Sequence, residues 1–243
     1  MEVKNYLLDY NNLFIIQDTN MFSFSLDSVL LANFATINKA CNKILDIGTG
    51  NAPIPLMLST KTDSKIVGVE IQKEVSDLAK KSVEINSLEN QIKIVNEDIN
   101  DFYLKCESDS FDVITCNPPY FKDCIINNSL YKTVARHENF LTLNKICKIS
   151  KKVLKNKGNL VLVHRPERFV EIIDEMRKNN IEPKRVRFVY PKIGKEANIL
   201  LIEGKKNGRP GLKILDPLYV HSDDGSYTFE VEKFFKGEKN DSE

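Results

Sequence analysis

Cysteine is scarce and badly spaced for metal or disulfide chemistry: the five residues stand at 41, 106, 116, 124 and 147, with no C-x-x-C pair and no short Cys/His cluster. An odd set without paired spacing excludes a structural zinc site or a disulfide framework as the expected basis of the fold, and no metal is expected. Long apolar runs are missing too. None approaches the roughly 18 residues that a membrane-spanning helix needs, and the opening stretch, "MEVKNYLLDYNNLFIIQDTN", is interrupted by charges and asparagines. Neither a membrane partner nor a targeting segment is expected, so the chain reads as cytoplasmic. An excess of one charge sign is also absent, because 35 basic residues face 34 acidic ones. Any surface for a polyanion would therefore be a local patch. There is no internal repeat and no low-complexity block.

What is present is an alternation. At 243 residues the chain is long enough for one large α/β domain, or one domain with a small appendage. From Lys43 onward short β-rich runs alternate with helical stretches, the signature of a parallel sheet wrapped by helices. The strands are "KILDI" (43–47), "KIVGVE" (65–70), "IKIVNED" (92–98), "FDVITC" (111–116) and "GNLVLVHR" (158–165). Helices are expected over 53–60, 72–86, about 141–154 and about 166–179. In the second, Val75, Leu78, Ala79, Val83 and Ile85 recur at three- and four-residue steps, so one face is apolar. "PKRVRFVYP" (183–191) and "ANILLIEGKK" (197–206), joined through "KIG", read as an antiparallel hairpin closing one sheet edge. Residues 1–40, amphipathic around Ser28 to Phe34, should pack on the sheet as an N-terminal segment. A single domain is expected over 41–236, with a flexible tail at 237–243. Residues 121–137 form a long polar connection without periodicity, and such loops are usually functional or mobile.

Chemistry concentrates where strands end. "LDIGTGNAPIP" (45–55) puts Gly48 and Gly50 directly after the first strand and ahead of a helix whose first turn holds Pro53 and Pro55. Glycine permits a tight reversal and close approach of a ligand to the backbone, and proline suits an opening turn whose amides lack helical partners. A pyrophosphate site would prefer G-x-G-x-x-G, but position 53 is proline, and Asp46 would repel phosphate. Asp46 suits a cationic ligand, which favours S-adenosylmethionine over NAD. Glu70 ends the second strand where this class of fold places a carboxylate for ribose hydroxyls, although it could equally cap the next helix. Asp98 follows the third strand and is either an acceptor for an adenine amine or an ordinary loop carboxylate. Ligands of open α/β sheets bind at the carboxyl ends of strands, and all three acids lie there.

The fourth strand ends in "NPPY" (117–120). Pro118 and Pro119 lack amide donors and stop strand pairing, so the turn is stiff and displays carbonyl acceptors. Asn117 adds an amide, and Tyr120 a flat face with a polar tip. Such a corner is either punctuation or a site for a planar, nitrogen-bearing group.

Asp46-x-Gly48-x-Gly50, Glu70, Asp98 and Asn117-Pro118-Pro119-Tyr120 together resemble class I S-adenosylmethionine-dependent methyltransferases of the amino-methylating group. "FSLDSVLLANFA", "GNAPIPLMLST", "GVEIQKEV", "ARHE", "LVHRPERF", "IEPKRVRFVYPK" and "KEANILLIEG" extend the likeness over roughly residues 13–235. They look like the bacterial methyltransferases of N6 of the adenosine beside the anticodon of a valine tRNA. N-P-P-Y alone is less specific, because it also occurs in enzymes that methylate DNA adenine, rRNA guanine or a protein glutamine. The resemblance implies a Rossmann-like, seven-stranded, mostly parallel sheet with a C-terminal antiparallel hairpin and helices on both faces. It implies S-adenosylmethionine as cofactor, bound by Asp46, Gly48, Gly50, Glu70, Ile71, Asp98, Ile99 and Asn117. Catalysis would fall to Asn117, Pro118, Pro119 and Tyr120. The partner would be tRNA, contacted by Arg136, His137, Arg165, Arg185, Arg187, Lys192 and Lys195, with the protein a monomer. One departure is Ala52, where relatives usually carry glycine; its methyl is expected to crowd the cofactor. Two alternatives stay open, N-methylation of an rRNA base or protein glutamine, and a non-catalytic RNA-binding module. Only about 40 residues precede the first strand, which disfavours the glutamine substrate.

Overall fold

The computed structural model describes residues 1–10, 12–19, 24–118 and 141–237. The loop at 121–137, Pro119, Tyr120, Arg136, His137 and the tail after Gly237 lie outside the described residues. The chain opens with a two-stranded antiparallel sheet, β1 (Glu2–Tyr6) and β2 (Phe14–Asp18), followed by α1 (Leu26–Phe34). Alternation then begins with β3 (Lys43–Ile47), α2 (Pro53–Ser59), β4 (Lys65–Glu70), α3 (Lys73–Ile85), β5 (Ile92–Asn96), α4 (Ile99–Lys105) and β6 (Phe111–Cys116). After the undescribed stretch come α5 (Leu143–Val153), β7 (Leu154–His164), a 3-10 turn at Pro166–Arg168 and α6 (Phe169–Lys178). The last elements are β8 (Ile181–Tyr190), β9 (Ile199–Lys206), β10 (Lys213–Ile214), β11 (Leu218–Tyr219) and α7 (Phe229–Phe235).

The main sheet runs β10-β8-β9-β7-β6-β3-β4-β5, with β11 also on β8. β5, β4, β3, β6 and β7 are parallel, and β9 and β8 follow antiparallel. The expected seven-stranded, mostly parallel sheet with its closing hairpin is thus the observed one. β10 and β11 add two-residue edges parallel to β8, too short for any periodicity to announce.

Parallel strands must be covered on both faces, so their sequences are apolar almost throughout. Residues of alternate parity feed two separate clusters. Ile44, Val113, Val161, Val163 and Leu201 pack with α1, α2 and α7 on one face. Leu45, Ile114, Leu160, Leu162 and Ile202 pack with α5 and α6 on the other. α1 differs from the amphipathic segment expected: Ser28 through Ala32 and Phe34 are all buried, because the helix lies between α2, α7 and strands β7 and β9. The hairpin β1–β2 docks on α3, and Ile15 of β2 joins the same core cluster as Ile44 and Val113 of the sheet. Asn86 pairs with both the amide and the carbonyl of Phe14 (2.8 and 2.7 Å), and Ser82 Oγ accepts from Ile16 N (2.9 Å). Ser82 therefore completes the buried face of α3, whereas Ile85 at its end is exposed.

The strand order reverses beside β3: β4 and β5 lie on one side, β6 and β7 on the other. At such a switch point the loops leaving β3 and β6 turn apart and open a crevice at their carboxyl ends. Among the described residues no helix is long and apolar enough to cross a membrane.

Candidate active site

The crevice is bounded by the turn after β3 and the corner after β6. Asp46 and Thr115 are paired across these strands, and Thr115 Oγ1 donates to Asp46 Oδ1 at 2.6 Å. Asp46 is fully buried, and its Oδ2 has no hydrogen-bond partner. Burial pushes its carboxyl up to about 7; the hydrogen bond from Thr115 and the nearby Thr49 hydroxyl pull it down less, and Glu70 adds repulsion. Thr49 Oγ1 itself is buried without a partner, so it faces the carboxylate outside hydrogen-bonding geometry.

The turn holds three residues in the left-handed region, Gly48 (φ 67°), Gly50 (φ 59°) and Ala52 (φ 70°). A side chain at either glycine would meet no atom within 4 Å, so the space above the turn is open and its backbone is approachable. Ala52 is buried. Its methyl thus packs into the protein, and its left-handed backbone costs alanine about 1–2 kcal/mol. The expected crowding of the crevice is not what the structure has.

Glu70 fastens this turn to β4. Gly50 N donates to its Oε2 (3.1 Å) and Gln72 N to its Oε1 (2.9 Å), while Gly48 N and Thr49 N both donate to Val69 O. Glu70 therefore ties the glycine turn to the segment entering α3, whose N-cap is Gln72. Asp98 caps α4: its Oδ1 accepts from Asn100 N and from Asn100 Nδ2, both at 2.8 Å. Ile71, after β4, is exposed, and Ile99, at the start of α4, is buried.

At the opposite wall Asn117 is half-buried and Pro118 buried. Asn117 Nδ2 donates to Ser28 Oγ (3.2 Å), so α1 orients the amide that leaves β6. Ser28 was not singled out by the sequence, and no local signal distinguishes it from the other small residue on α1. Thr49 and Gly68 were missed as well. A side chain on Gly68 would stand 2.8 Å from Thr49 Oγ1; a glycine inside a strand is the signal that another group passes close by.

Along the rim β6-β3-β4-β5 the structure brings Asn117, Pro118, Asp46, Gly48, Gly50, Glu70, Ile71, Asp98 and Ile99 together. Arg165, Lys192 and Lys195 share the same edge of the sheet, at the ends of β7 and β8. Arg165 Nη1 donates to Asn198 O (2.8 Å), and its amide donates to Nδ1 of His164, whose imidazole burial drives down to about 4. Arg185 and Arg187 were expected to face RNA, and the structure gives them other work. Arg185 donates to Thr36 Oγ1 and Phe34 O and stacks on the Phe34 ring, pinning the end of α1 next to buried Glu203. Arg187 holds Glu230 of α7 in a two-pronged pair (2.7 and 2.9 Å). Both lie mid-strand beneath other elements, because the face they share is the one that α1 and α7 cover. Among the described residues no cluster of three or more His, Cys, Asp or Glu side chains is arranged to hold a metal ion.

Known proteins are similar to this chain. A tRNA1(Val) (adenine(37)-N6)-methyltransferase of Parabacteroides distasonis is 28% identical over 201 residues, 83% of this chain and 84% of that protein. One from Bacteroides thetaiotaomicron is 32% identical over 163 residues, 66% and 67% of the respective chains. Among solved structures, the Agrobacterium tumefaciens protein Atu636, described as a predicted O-methyltransferase, superimposes with a TM-score of 0.71 at 19% identity, covering 88% of this chain and 97% of that one. Residues 12–180 match the methyltransferase small domain. With the crevice at the β3/β6 switch point and that match over most of its length, the chain belongs to the methyltransferase small domain family.

Proposed function

We propose that this chain transfers the methyl group of S-adenosylmethionine to the exocyclic N6 of adenosine in tRNA, at the adenosine next to the anticodon of a valine tRNA. The observation that carries this reading is that a buried acid with an orphaned oxygen and an Asn-Pro corner stand at the carboxyl ends of the neighbouring strands β3 and β6. Asp46 Oδ2 is a buried acceptor that a cationic ammonium would satisfy, and the open backbone at Gly48 and Gly50 leaves room beside it. Glu70 stands at the end of β4 for ribose hydroxyls, and Asp98 at the end of β5 for an adenine amine. Ile71 gives the rim an apolar surface, and Ile99 supports it from the core. When bound, S-adenosylmethionine supplies a sulfonium-activated methyl group.

An adenine amine is a weak nucleophile because its lone pair is shared with the ring. Asn117 Oδ1 and the Pro118 carbonyl oxygen accept its two hydrogens and draw the nitrogen towards tetrahedral geometry. Ser28, holding Asn117 Nδ2, sets the direction of that acceptor. Alignment is the main contribution of such a corner, since the leaving group is already activated. From the sequence, Tyr120 is assigned to stack on the base and Pro119 to stiffen the turn before it; stacking is worth about 1–3 kcal/mol per base. The nucleotide has to leave its stack to reach the crevice. Arg136, His137, Arg165, Lys192 and Lys195 are the proposed phosphate contacts. Such contacts make binding salt-dependent.

The test is incubation of the purified protein with labelled S-adenosylmethionine and unmodified tRNA, followed by mapping of the modified nucleoside. N6-methyladenosine beside the anticodon of valine tRNA is expected. Label in protein and none in RNA would transfer the assignment to a protein amide.

A further inference from the structure

A second cavity, of about 670 Å3, lies on the same rim, between the β8–β9 connection and the 221–227 turn. It is lined by Lys192, Lys195, Glu196, His221 and Asp223, with Pro191 and Gly225. Its volume falls within the roughly 300–1,000 Å3 of small-ligand sites. Three kinds of group converge there. Lys192 and Lys195 supply cations, and Glu196 and Asp223 supply carboxylates; none of the four joins an ion pair among the described residues. The third is aromatic: His221 stacks on Tyr227 with ring centroids 4.8 Å apart and planes 27° apart. His221 Nδ1 is buried without a hydrogen-bond partner. Exposed charges of both signs, none of them held in an ion pair of their own, thus surround one open cavity beside a histidine ring.

Position gives the ligand its identity. β8 is separated from β6 by β9 and β7, so the end of β8 that borders the cavity lies three strand spacings, roughly 14 Å, along the same sheet edge from the end of β6 at the Asn117 corner. A few nucleotides of unstacked single strand bridge that distance. Ammonium groups suit a phosphate, a ring face suits a base, and carboxylates accept hydrogens from the amino edge of cytosine or guanine. Resting on the tRNA reading above, we infer that this cavity holds a second nucleotide of the substrate, flanking the target adenosine and bearing an amino group, and so contributes to the choice of adenosine. Lys192 and Lys195 hold its phosphate, the His221 ring, stacked on Tyr227, takes its base, and Glu196 and Asp223 read its edge.

The sign of one variant decides this. Replacing Glu196→Gln and Asp223→Asn together keeps the shapes and removes two negative charges. If the cavity were only a charged surface, RNA would bind more tightly. A base-reading cavity predicts the reverse. The assay is methylation of anticodon stem-loops randomised at each loop position except the target adenosine, by wild type and by the double variant. The wild type should prefer an amino-bearing base at one flanking position by about tenfold, and the variant should lose that preference. Its KM for the RNA should rise while cofactor affinity is unchanged. Unaltered preference with equal or lower KM overturns the inference while leaving the methylation of tRNA in place. Failure of wild type to methylate any tRNA overturns the parent reading, and this one with it.

Discussion

Replacing Asp46→Asn separates what the buried acid costs the fold from what it gives the cofactor. Its carboxyl sits at about 7 in the folded protein, against 3.8 for the free group. Three units at about 1.4 kcal/mol each amount to about 4 kcal/mol against the ionised form. The sign follows from proton linkage. Below pH 3.8 both states are protonated and the group is neutral to stability. Between 3.8 and 7 the folded state keeps a proton that the unfolded chain has lost, so stability falls as pH rises, and above 7 the full penalty remains. Asparagine removes the titration and can still accept from Thr115, but it places an amide donor where Oδ2 lacks a partner, which costs about 1–3 kcal/mol at every pH. The difference in unfolding free energy between variant and wild type, measured by urea denaturation without cofactor, should therefore move in favour of the variant by about 2–3 kcal/mol between pH 5 and pH 8. Taking the difference cancels all other titrating groups. Calorimetry at pH 8 should show the opposite for cofactor: affinity reduced by at least tenfold, because the ammonium loses its buried counter-charge. A stability difference that does not change with pH would refute the ionisation argument. Undiminished affinity would refute the role.

Three further outcomes are expected. Asn117→Ala removes an acceptor needed mainly in the transition state, so single-turnover methyl transfer should fall by about 100-fold or more, on the scale of deleting a preorganised hydrogen-bonding partner, with cofactor binding kept; equal activity contradicts the assigned role. Gly68→Ala puts a methyl 2.8 Å from Thr49 Oγ1, and overpacking of this kind costs about 1–3 kcal/mol, visible as a lower melting temperature and weaker cofactor binding. Arg187→Ala breaks the pair with Glu230 and frees α7, so it should lower stability by about 1–2 kcal/mol and leave the salt dependence of tRNA binding unchanged; a shallower salt slope would return Arg187 to the RNA surface.

Much of the site was legible because its residues break local rules. Prolines 118 and 119 cannot continue a strand, and Gly48 and Gly50 fall where a strand must reverse. Acids at the ends of three apolar runs point to one edge once the runs are parallel. Strands 43–47, 65–70 and 111–116 agree with the structure residue for residue, since strands buried on both faces have to be continuously apolar. Other features carried no such signal. α4 has seven residues and one buried side chain, too little for a helical period. Arg185 and Arg187 share a face by alternation, but alternation is silent about whether that face meets solvent or α1 and α7. Ser28 touches Asn117 across 89 positions of sequence, and Arg187 meets Glu230 only after the chain has crossed its own sheet.

By itself the sequence determined the central alternation of strands and helices from 43 to 206, apart from α4, the places where backbone pairing must stop, and the acid and amide groups offered at those places, because these follow from backbone sterics and hydrophobic period within a few residues. Tertiary structure alone decided which strands became neighbours, hence that the β3 and β6 ends share a crevice. It also decided that Asp46 is stripped of water while Arg185 and Arg187 are bound to their own chain. Burial and pairing between distant residues are properties of packing, and local sequence holds no term for them.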